Sequence, residues 1–296
     1  MANNVVTKLA ELNLVDKFLF DETMEDTEAY QAVVSILLEN EIELINKPET
    51  EKELRISPQL RQVRLDVVSM DRGGKLYYTE MQQKNTGNLR KRSRYYQAQL
   101  DVSLLEPGST DFNLLNDSCF ILIAPFDLFG KGLYRYTFEG VCRECPDLKL
   151  EDGATRIFIN TRGTNRQEFS QEFLDFMEYI TATTDEIADG TKSHRIKLIH
   201  EKVRKIKISE KMGVKFMQKW EEIAYARDEG IVQGQAKGEK LKLIEMTCKK
   251  LRKGKTPEEI SQDLEEDMEV ILRICNAANE CTSDYDVEKV YSKLYE

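Results

Sequence analysis

The sequence predicts an α/β fold, and three neighbouring segments carry that prediction. Residues 60–82 contain two runs of alternating apolar side chains separated by DRGG, a pattern typical of a β-hairpin. Residues 88–105 have apolar side chains at helical spacing, and residues 119–124 form a continuous apolar run, as in strands that are buried on both faces. A strand, a helix and a buried strand in this succession predict a βαβ crossover in a mixed sheet.

The amino-acid composition limits the classes of protein to which the chain can belong. The chain has 296 residues, of which 41% are hydrophobic and 32% are charged, as in a soluble globular protein of one or two domains. It has no apolar run near the roughly 18 residues of a membrane span, and its N-terminus lacks the regions of a signal peptide. Six cysteines without framework spacing fit a reducing compartment. We therefore expect a cytoplasmic protein with no membrane partner.

The segment before the hairpin is predicted to contain a loop at residues 21–26, one helix and a short strand at residues 53–56. Asp26 or Thr27 can cap the helix. Its apolar stripe has the spacing i, i+3, i+4, i+7, i+8 and consists of Tyr30, Val33, Val34, Leu37 and Leu38. Glu28 in the first turn is an additional candidate ligand, although a carboxylate there is more simply explained by the helix dipole or by solvation.

After the crossover, residues 133–138 and 155–160 have the composition of strands, and residues 169–180 predict a helix with an aromatic face. Around residues 183–190 the composition changes. The sequence therefore predicts a first domain over residues 1–185 and an all-helical C-terminal region over residues 191–296.

The hairpin brings polar groups together. If its turn is centred on Gly73, Asp66 and Glu80 lie opposite each other, because each is seven residues away, and facing residues have Cβ atoms about 5 Å apart. Gln82 shares a face with Glu80 because side chains alternate along a strand. Oxygen ligands of this kind suit Mg²⁺. The alternative is that both carboxylates lie on the solvated face of the hairpin.

Several blocks around this hairpin occur together in one order: LDV at 65–67, EMQ at 80–82, RKRSRYYQAQL at 90–100, PFDLFGKGLYRYTFE at 125–139, IFINTRG at 157–163 and a GxxxGxxxG tail. With the succession αβββαβ, they resemble the PD-(D/E)XK nuclease superfamily. More narrowly, they resemble its Rpn family of recombination-promoting nucleases and transposase-like proteins, over most of residues 15–240. The resemblance implies a restriction-endonuclease-like core with a mixed central sheet.

The resemblance also implies a DNA endonuclease that depends on Mg²⁺ or Mn²⁺. By analogy, Asp66, Glu80 and the backbone carbonyl of Met81 would bind the metal, and Asp66, Glu80 and Gln82 would be the catalytic residues. Gln82 stands where the superfamily usually has lysine, and an amide can orient a water molecule but cannot accept its proton or supply charge. Proton removal would therefore fall to the metal-bound water itself, or to Lys84 if its side chain reaches the site.

Four basic residues early in the helix over residues 88–105 would bind DNA phosphates by the same analogy: Arg90, Lys91, Arg92 and Arg94. The alternative is a solvated basic face. A second class of function also stays open, in which the chain keeps the nuclease fold without catalysis and acts as a DNA-interaction or protein-interaction module. Metal binding by Asp66 and Glu80 would distinguish the two classes.

The C-terminal region changes sign along its length. Residues 192–255 contain 19 Lys and Arg against 8 Asp and Glu, whereas residues 256–296 contain 3 against 12. Gly230, Gly234 and Gly238 recur every four residues on one helix face. Opposite charges and a small-residue face predict a homodimer through residues 191–296. The alternatives are an intramolecular helical hairpin that pairs the same charges, a mobile linker helix, and a small helix-turn-helix that begins at Thr256.

Cysteine and histidine give weaker signals. Cys142 and Cys145 have CxxC spacing, but a zinc site needs about four ligands and no second pair is nearby in sequence. His194 and His200 lie in the basic stretch and are predicted to be surface residues.

Overall fold

A computed structural model of the protein describes residues 9–54, 63–105, 108–281 and 285–295. Its centre is a six-stranded sheet in the order β1-β2-β3-β4-β6-β5. The strands are β1 (Glu49–Leu54), β2 (Val63–Met70), β3 (Leu76–Met81), β4 (Ser118–Ala124), β5 (Arg135–Phe138) and β6 (Ala154–Asn160). The sheet is mixed, because β3, β4 and β6 are parallel while β1, β2 and β5 join by antiparallel pairing. The predicted α/β class is confirmed.

The described residues also form α-helices before, between and after these strands in the chain. They are α1 (Lys17–Met24), α2 (Thr27–Leu38), α3 (Leu89–Leu104), α4 (Gln171–Thr181), α5 (Asp185–Gly190), α6 (His194–Lys207), α7 (Glu210–Leu251), α8 (Pro257–Leu264), α9 (Met268–Glu280) and α10 (Val287–Tyr295). Within the described part of the chain, none of these helices is both long enough and apolar enough to cross a membrane.

The hairpin of β2 and β3 has a turn held by one side chain. Asp71 Oδ1 accepts hydrogen bonds from the backbone N–H groups of Gly73 and Lys75, at 2.8 and 3.0 Å. Gly74 takes the left-handed conformation, with φ of +82°, which glycine adopts without a Cβ clash. Gly73 does not have a positive φ. The predicted turn is therefore present, with only one of its two glycines in the special conformation.

The predicted βαβ crossover is also present, because β3 and β4 are parallel neighbours joined by α3. Every residue of β4 is buried, and its apolar side chains alternate between two cores. Cys119, Ile121 and Ile123 face the core formed with α2, α4 and α6, whereas Phe120 and Leu122 face the core formed with α3. Burial on both faces explains why the sequence of this strand does not alternate.

Two predicted boundaries before the hairpin need correction. The predicted loop at residues 21–26 is wrong in its first half, because Asp21–Met24 is the last turn of α1, and only Asp26 acts as the N-cap, accepting from Ala29 N–H at 3.1 Å. The strand expected at residues 53–56 is β1, which begins at Glu49; residues 55 and 56 are outside the described residues. This edge strand is rich in charged side chains, which obscured its start.

The contacts divide the chain into two compact units, up to Met217 and from Gln218 onward. The predicted boundary at residues 185–191 differs from this division because α6 belongs to the first core. Ile196, Ile199 and Val203 of α6 are fully buried there. The buried apolar side chains of α6 therefore place this helix in the first unit, although its basic composition suggested that it belongs to a separate region.

The second unit has its own small core, built around Ile244, Cys248, Ile274 and Val290. Helix α8 begins with a capping box, in which Thr256 and Glu259 each accept a hydrogen bond from the other's backbone N–H. Lys250 and Lys255 both form ion pairs with Asp263, so part of the opposite charge is paired within the chain.

Candidate active site

Two carboxylates meet at the end of the β2–β3 hairpin opposite its turn. Val67 pairs with Thr79 and Val68 with Tyr78, so the same register places Asp66 opposite Glu80, as counting from Gly73 predicts. Both side chains are almost fully buried. The alternative of a solvated face is therefore wrong for this pair. Burying two carboxylates is costly unless cations or hydrogen-bond donors compensate for their charge.

Asp66 receives its compensation from two directions. Its Oδ2 accepts a hydrogen bond of 3.0 Å from the backbone N–H of Met81, and its Oδ1 contacts Lys17 Nζ. The same ammonium group lies 3.2 Å from Asp21 Oδ2. The N–H and C=O of a strand residue point to the same edge. The carbonyl of Met81 is thus directed to the side of the strand on which Asp66 lies.

Glu80 is paired with a residue of α3. Arg92 Nη2 donates hydrogen bonds to Glu80 Oε2 at 2.8 Å and to Gln82 Oε1 at 2.5 Å. Its guanidinium also lies over the ring of Tyr96, 5.5 Å from the centroid. One arginine therefore connects Glu80 of β3 and Gln82, the residue after that strand, to the helix that packs on this face of the sheet.

The two carboxylates influence each other. Burial, followed by the negative charge of Asp66, raises the pKa of Glu80 to about 7, and the opposing effects of Arg92 and Lys17 are smaller. Burial alone would lower the pKa of Lys17, but the charges of Asp66 and Asp21 outweigh it and raise that pKa above its usual value. Lys17 is therefore a cation at neutral pH, while Glu80 is poised between its two protonation states.

The remaining candidates are not all in the cluster. Gln82 Nε2 donates to the carbonyl of Lys84 at 2.7 Å, and the Lys84 residue itself is exposed. Glu28 is bound elsewhere: its carboxylate lies 3.2 Å from Lys202 Nζ, which also pairs with Asp26. The contacts of Glu28 thus favour the interpretation of a surface carboxylate near a helix start over that of a ligand.

The four basic residues of α3 fall into two groups. Arg92 belongs to the carboxylate cluster, and Arg90 donates to the carbonyl of Leu128 at 2.9 Å while its guanidinium lies over Phe129. Lys91 and Arg94 are exposed. Arg90 is exposed as well. At about 100° per residue, Arg94 lies between Arg90 and Lys91 around the helix, and Arg92 points about 200° away from Arg90.

Sequence reasoning missed two residues of the cluster, Lys17 and Asp21. They are one helical turn apart on α1, and Lys17 precedes Asp66 by 49 positions, so no local pattern joins them to the hairpin. Gln83 reinforces the contact between these segments, since its Nε2 donates to Asp16 Oδ1 at 2.6 Å. The only local signal was the i, i+4 spacing of Lys17 and Asp21.

The cysteine and histidine predictions have different outcomes. Among the described residues, no group of three or more His, Cys, Asp or Glu side chains could hold a metal ion, so a zinc site at Cys142 and Cys145 finds no support. His200 is buried, so its prediction as a surface residue is wrong. Its ring contacts Tyr179 at 3.1 Å and Asp185 at 2.9 Å, and these partners allow it to pack inside a basic segment.

Asp66 and Glu80 are oxygen donors of the type that Mg²⁺ or Mn²⁺ prefers, and they are two such side chains where the described residues contain no group of three. Mg²⁺ is commonly held by one or two carboxylates, with water molecules and substrate phosphate as its other ligands. Asp66 and Glu80 supply two such carboxylates side by side, and the Met81 carbonyl is directed toward Asp66. Lys17, which contacts Asp66, has a long flexible side chain that can move when a metal enters, whereas Arg92 is held by Glu80, Gln82 and Tyr96.

Comparison of the chain with protein-family models, with curated proteins and with solved structures found no match. Support for a function therefore comes from the geometry of this site, from the order of the surrounding elements and from the sequence blocks that they contain.

Proposed function

We propose that this protein is a divalent-metal-dependent DNA endonuclease with a restriction-endonuclease-like αβββαβ core. The observation that carries the proposal is the buried, facing pair of Asp66 and Glu80 on the β2–β3 hairpin. The order of elements supports it: helix α2, three antiparallel strands, α3 and the parallel strand β4 form this succession. Isolated carboxylates are rarely buried without a partner or a metal to bind.

The reaction is hydrolysis of a phosphodiester bond. The oxygen of water bonds to phosphorus and gives up one proton, the bond from phosphorus to one sugar oxygen breaks, and that sugar oxygen takes up one proton. A divalent ion would be held by Asp66, Glu80 and the Met81 carbonyl, and it would polarise the phosphate and make the water more acidic.

Gln82 and the basic residues of α3 orient the substrate. The amide of Gln82 can hydrogen-bond a water molecule or a phosphate oxygen, but it cannot take a proton. Arg92 fixes Gln82 and Glu80 relative to each other. The exposed Lys91 and Arg94 contact the DNA backbone, where contacts position the duplex without reading its sequence.

The proposed function is tested by metal binding and cleavage together. We expect the parent protein to bind Mn²⁺ by isothermal titration and to cleave a supercoiled plasmid with Mg²⁺. Asp66→Ala and Glu80→Gln should lower the cleavage rate by a factor of about 100 or more, since each removes metal-binding charge. Glu28→Gln is the matched control and should cleave as the parent does, because its carboxylate lies outside the cluster.

Circular dichroism checks that each variant is folded. An Asp66→Ala protein that is folded and cleaves like the parent would disprove the site. A parent that binds no Mn²⁺ and cleaves no DNA would instead favour the alternative, a nuclease-like fold that acts as an interaction module.

We also propose that the chain forms a homodimer through its C-terminal helices. Ile223, Gly230, Ile231, Gly234 and Gly238 share one face of α7, and all five are exposed. A Cβ added at any of the three glycines would meet no atom within 4 Å in the described part of the chain. The glycines therefore leave room for the close approach of a second helix.

A further inference from the structure

The candidate site lacks a lysine where the resembled nucleases usually have one, yet a lysine reaches the same place from another element. Gln82 occupies that sequence position, just after the end of β3, and its amide oxygen already accepts a hydrogen bond from Arg92. Lys17, at the start of α1, reaches Asp66 across the end of the sheet. The hydrogen bond from Gln83 to Asp16 holds the first residues of α1 beside the end of β3.

The two cations of the cluster differ in how firmly they are held. Arg92 binds Glu80 and Gln82 at once and is stacked on Tyr96, so its position is determined by three groups. Within the described part of the chain, the ammonium group of Lys17 contacts the carboxylates of Asp66 and Asp21, and its side chain is 40% exposed. When a metal binds Asp66, it competes with the ammonium group for that carboxylate and leaves Arg92 in place.

The charges of the cluster fit a bound metal and substrate if Lys17 stays nearby. Three carboxylates and two cations give the cluster a net charge of −1 when all are ionised, as counted from Asp21, Asp66, Glu80, Lys17 and Arg92. A divalent ion changes this to +1, and one phosphodiester anion restores neutrality. Without Lys17 the same complex would carry a net negative charge beside an attacking water and a developing negative charge on phosphorus.

We propose that Lys17 is a catalytic residue: its ammonium group leaves Asp66 Oδ1 when metal binds and donates a hydrogen bond to a non-bridging oxygen of the scissile phosphate. This role rests on the proposed function. Lys17 supplies the positive charge that Gln82 cannot supply. It stabilises the charge that develops on phosphate oxygen and transfers no proton. Asp21 keeps the Lys17 side chain near the site, because its carboxylate still contacts the ammonium group when Asp66 binds metal.

The test uses Lys17→Gln, which removes the charge but can still hydrogen-bond Asp66. Isothermal titration with Mn²⁺ in the absence of DNA should show tighter binding than in the parent, because a competing cation is gone. Single-turnover cleavage of a supercoiled plasmid at saturating Mn²⁺ should be slower by a factor of about 100, as for the loss of one electrostatic group in an active site. Affinity for metal and cleavage rate thus change in opposite directions.

Two further variants make this result specific. Lys17→Arg keeps the charge and should retain a rate within about tenfold of the parent, because Arg can donate to the same oxygen. Lys215→Gln is the matched control, since its side chain is 49% exposed and pairs with the buried carboxylate of Glu22 at 2.6 Å. It should leave both metal affinity and cleavage unchanged.

The results distinguish a failure of the inference about Lys17 from a failure of the proposed function. If Lys17→Gln binds Mn²⁺ more tightly and also cleaves faster, Lys17 is only a counterion of the empty site and the inference is wrong. Unchanged cleavage in Lys17→Gln, or a folded Lys17→Arg as slow as Lys17→Gln, also contradicts it. A parent that neither binds Mn²⁺ nor cleaves the plasmid contradicts the proposed function itself.

Discussion

At the scale of single residues, the site is dominated by the cost of burying two carboxylates at facing positions of one hairpin. Glu80 is 3% exposed, and Asp66 lies across from it. Arg92 and Lys17 each offset one of these charges, yet burial still keeps the pKa of Glu80 well above its usual value. A site of this kind is ready to exchange a proton for a metal ion, because both compete for the same carboxylate.

The raised pKa of Glu80 predicts how stability depends on pH in metal-free protein. Between pH 4.5 and about 7 the folded state keeps a proton on Glu80 that the unfolded state has released. The contribution of this proton to the free energy of unfolding is fully present below pH 4.5 and is lost as the pH rises through about 7. Glu80→Gln cannot titrate, so its advantage in unfolding free energy over the parent should grow by about 2 kcal/mol across this window.

Urea unfolding of both proteins in EDTA at pH 5 and pH 7.5 measures that difference. If the difference between the parent and Glu80→Gln is the same at both pH values, the carboxylate ionises as it does in the unfolded chain. In that case the burial of Glu80 does not determine its proton affinity.

The sequence revealed only part of this cluster, for a physical reason. Asp66 and Glu80 could be paired by counting from Gly73, because a tight turn determines the register of its two strands. Lys17 could not be predicted, since its contact depends on how α1 packs against the end of the sheet, 49 positions away. Arg92 was predicted as a phosphate contact, and its bond to Glu80 depends on the angle of α3 on the sheet.

At the scale of elements, apolar periodicity and capping residues in the sequence predicted the strands and helices that nearby residues determine. The crossover β3-α3-β4 followed from periodicity and burial, and α2 followed from its cap and apolar stripe. The start of β1 was missed because Glu49–Leu54 is mostly charged and pairs only with β2. An edge strand can carry such residues on its exposed side, so it lacks the alternation that marks the inner strands.

Helix α3 gives a prediction about DNA binding that follows from which of its basic residues are accessible. Lys91 and Arg94 are exposed, whereas Arg92 is engaged by Glu80 and Gln82, and the exposed Arg90 is engaged by the carbonyl of Leu128. Replacing both Lys91 and Arg94 with Gln should weaken binding to any duplex. It should also reduce the slope of log affinity against log salt by about 2, since each phosphate contact contributes about 0.9.

Fluorescence anisotropy with a labelled duplex over a range of salt concentrations measures this slope. Replacing Arg143 and Lys289, two exposed basic residues on other elements, is the matched control and should leave the slope unchanged. An unchanged slope for the α3 variant would show that these residues form a solvated face and bind no phosphate.

At the scale of the whole molecule, the charge pattern of the sequence and the burial of its side chains divide the chain at different positions. Composition changes near residue 190, but the first core continues through α6, because a helix can be basic outside and apolar inside. The second unit uses some of its opposite charges internally, where Lys250 and Lys255 pair with Asp263. Fewer charged residues are therefore left to pair between two chains than the sequence suggested. The glycine-containing face of α7 becomes the stronger argument for self-association.

A nuclease site on one core reaches one strand of a duplex at a time, so a dimer would allow both strands to be cut in a single encounter. We expect light scattering to give twice the mass of the chain at micromolar concentration. Ile223→Glu combined with Ile231→Glu should yield a monomer, because it places charge on the face shared with the glycines. Tyr225→Glu combined with Val232→Glu is the control, since these residues are 76% and 64% exposed on the opposite side of α7. A monomeric parent would disprove the dimer, and a dimer that survives the double isoleucine variant would place the contact on another surface of the chain.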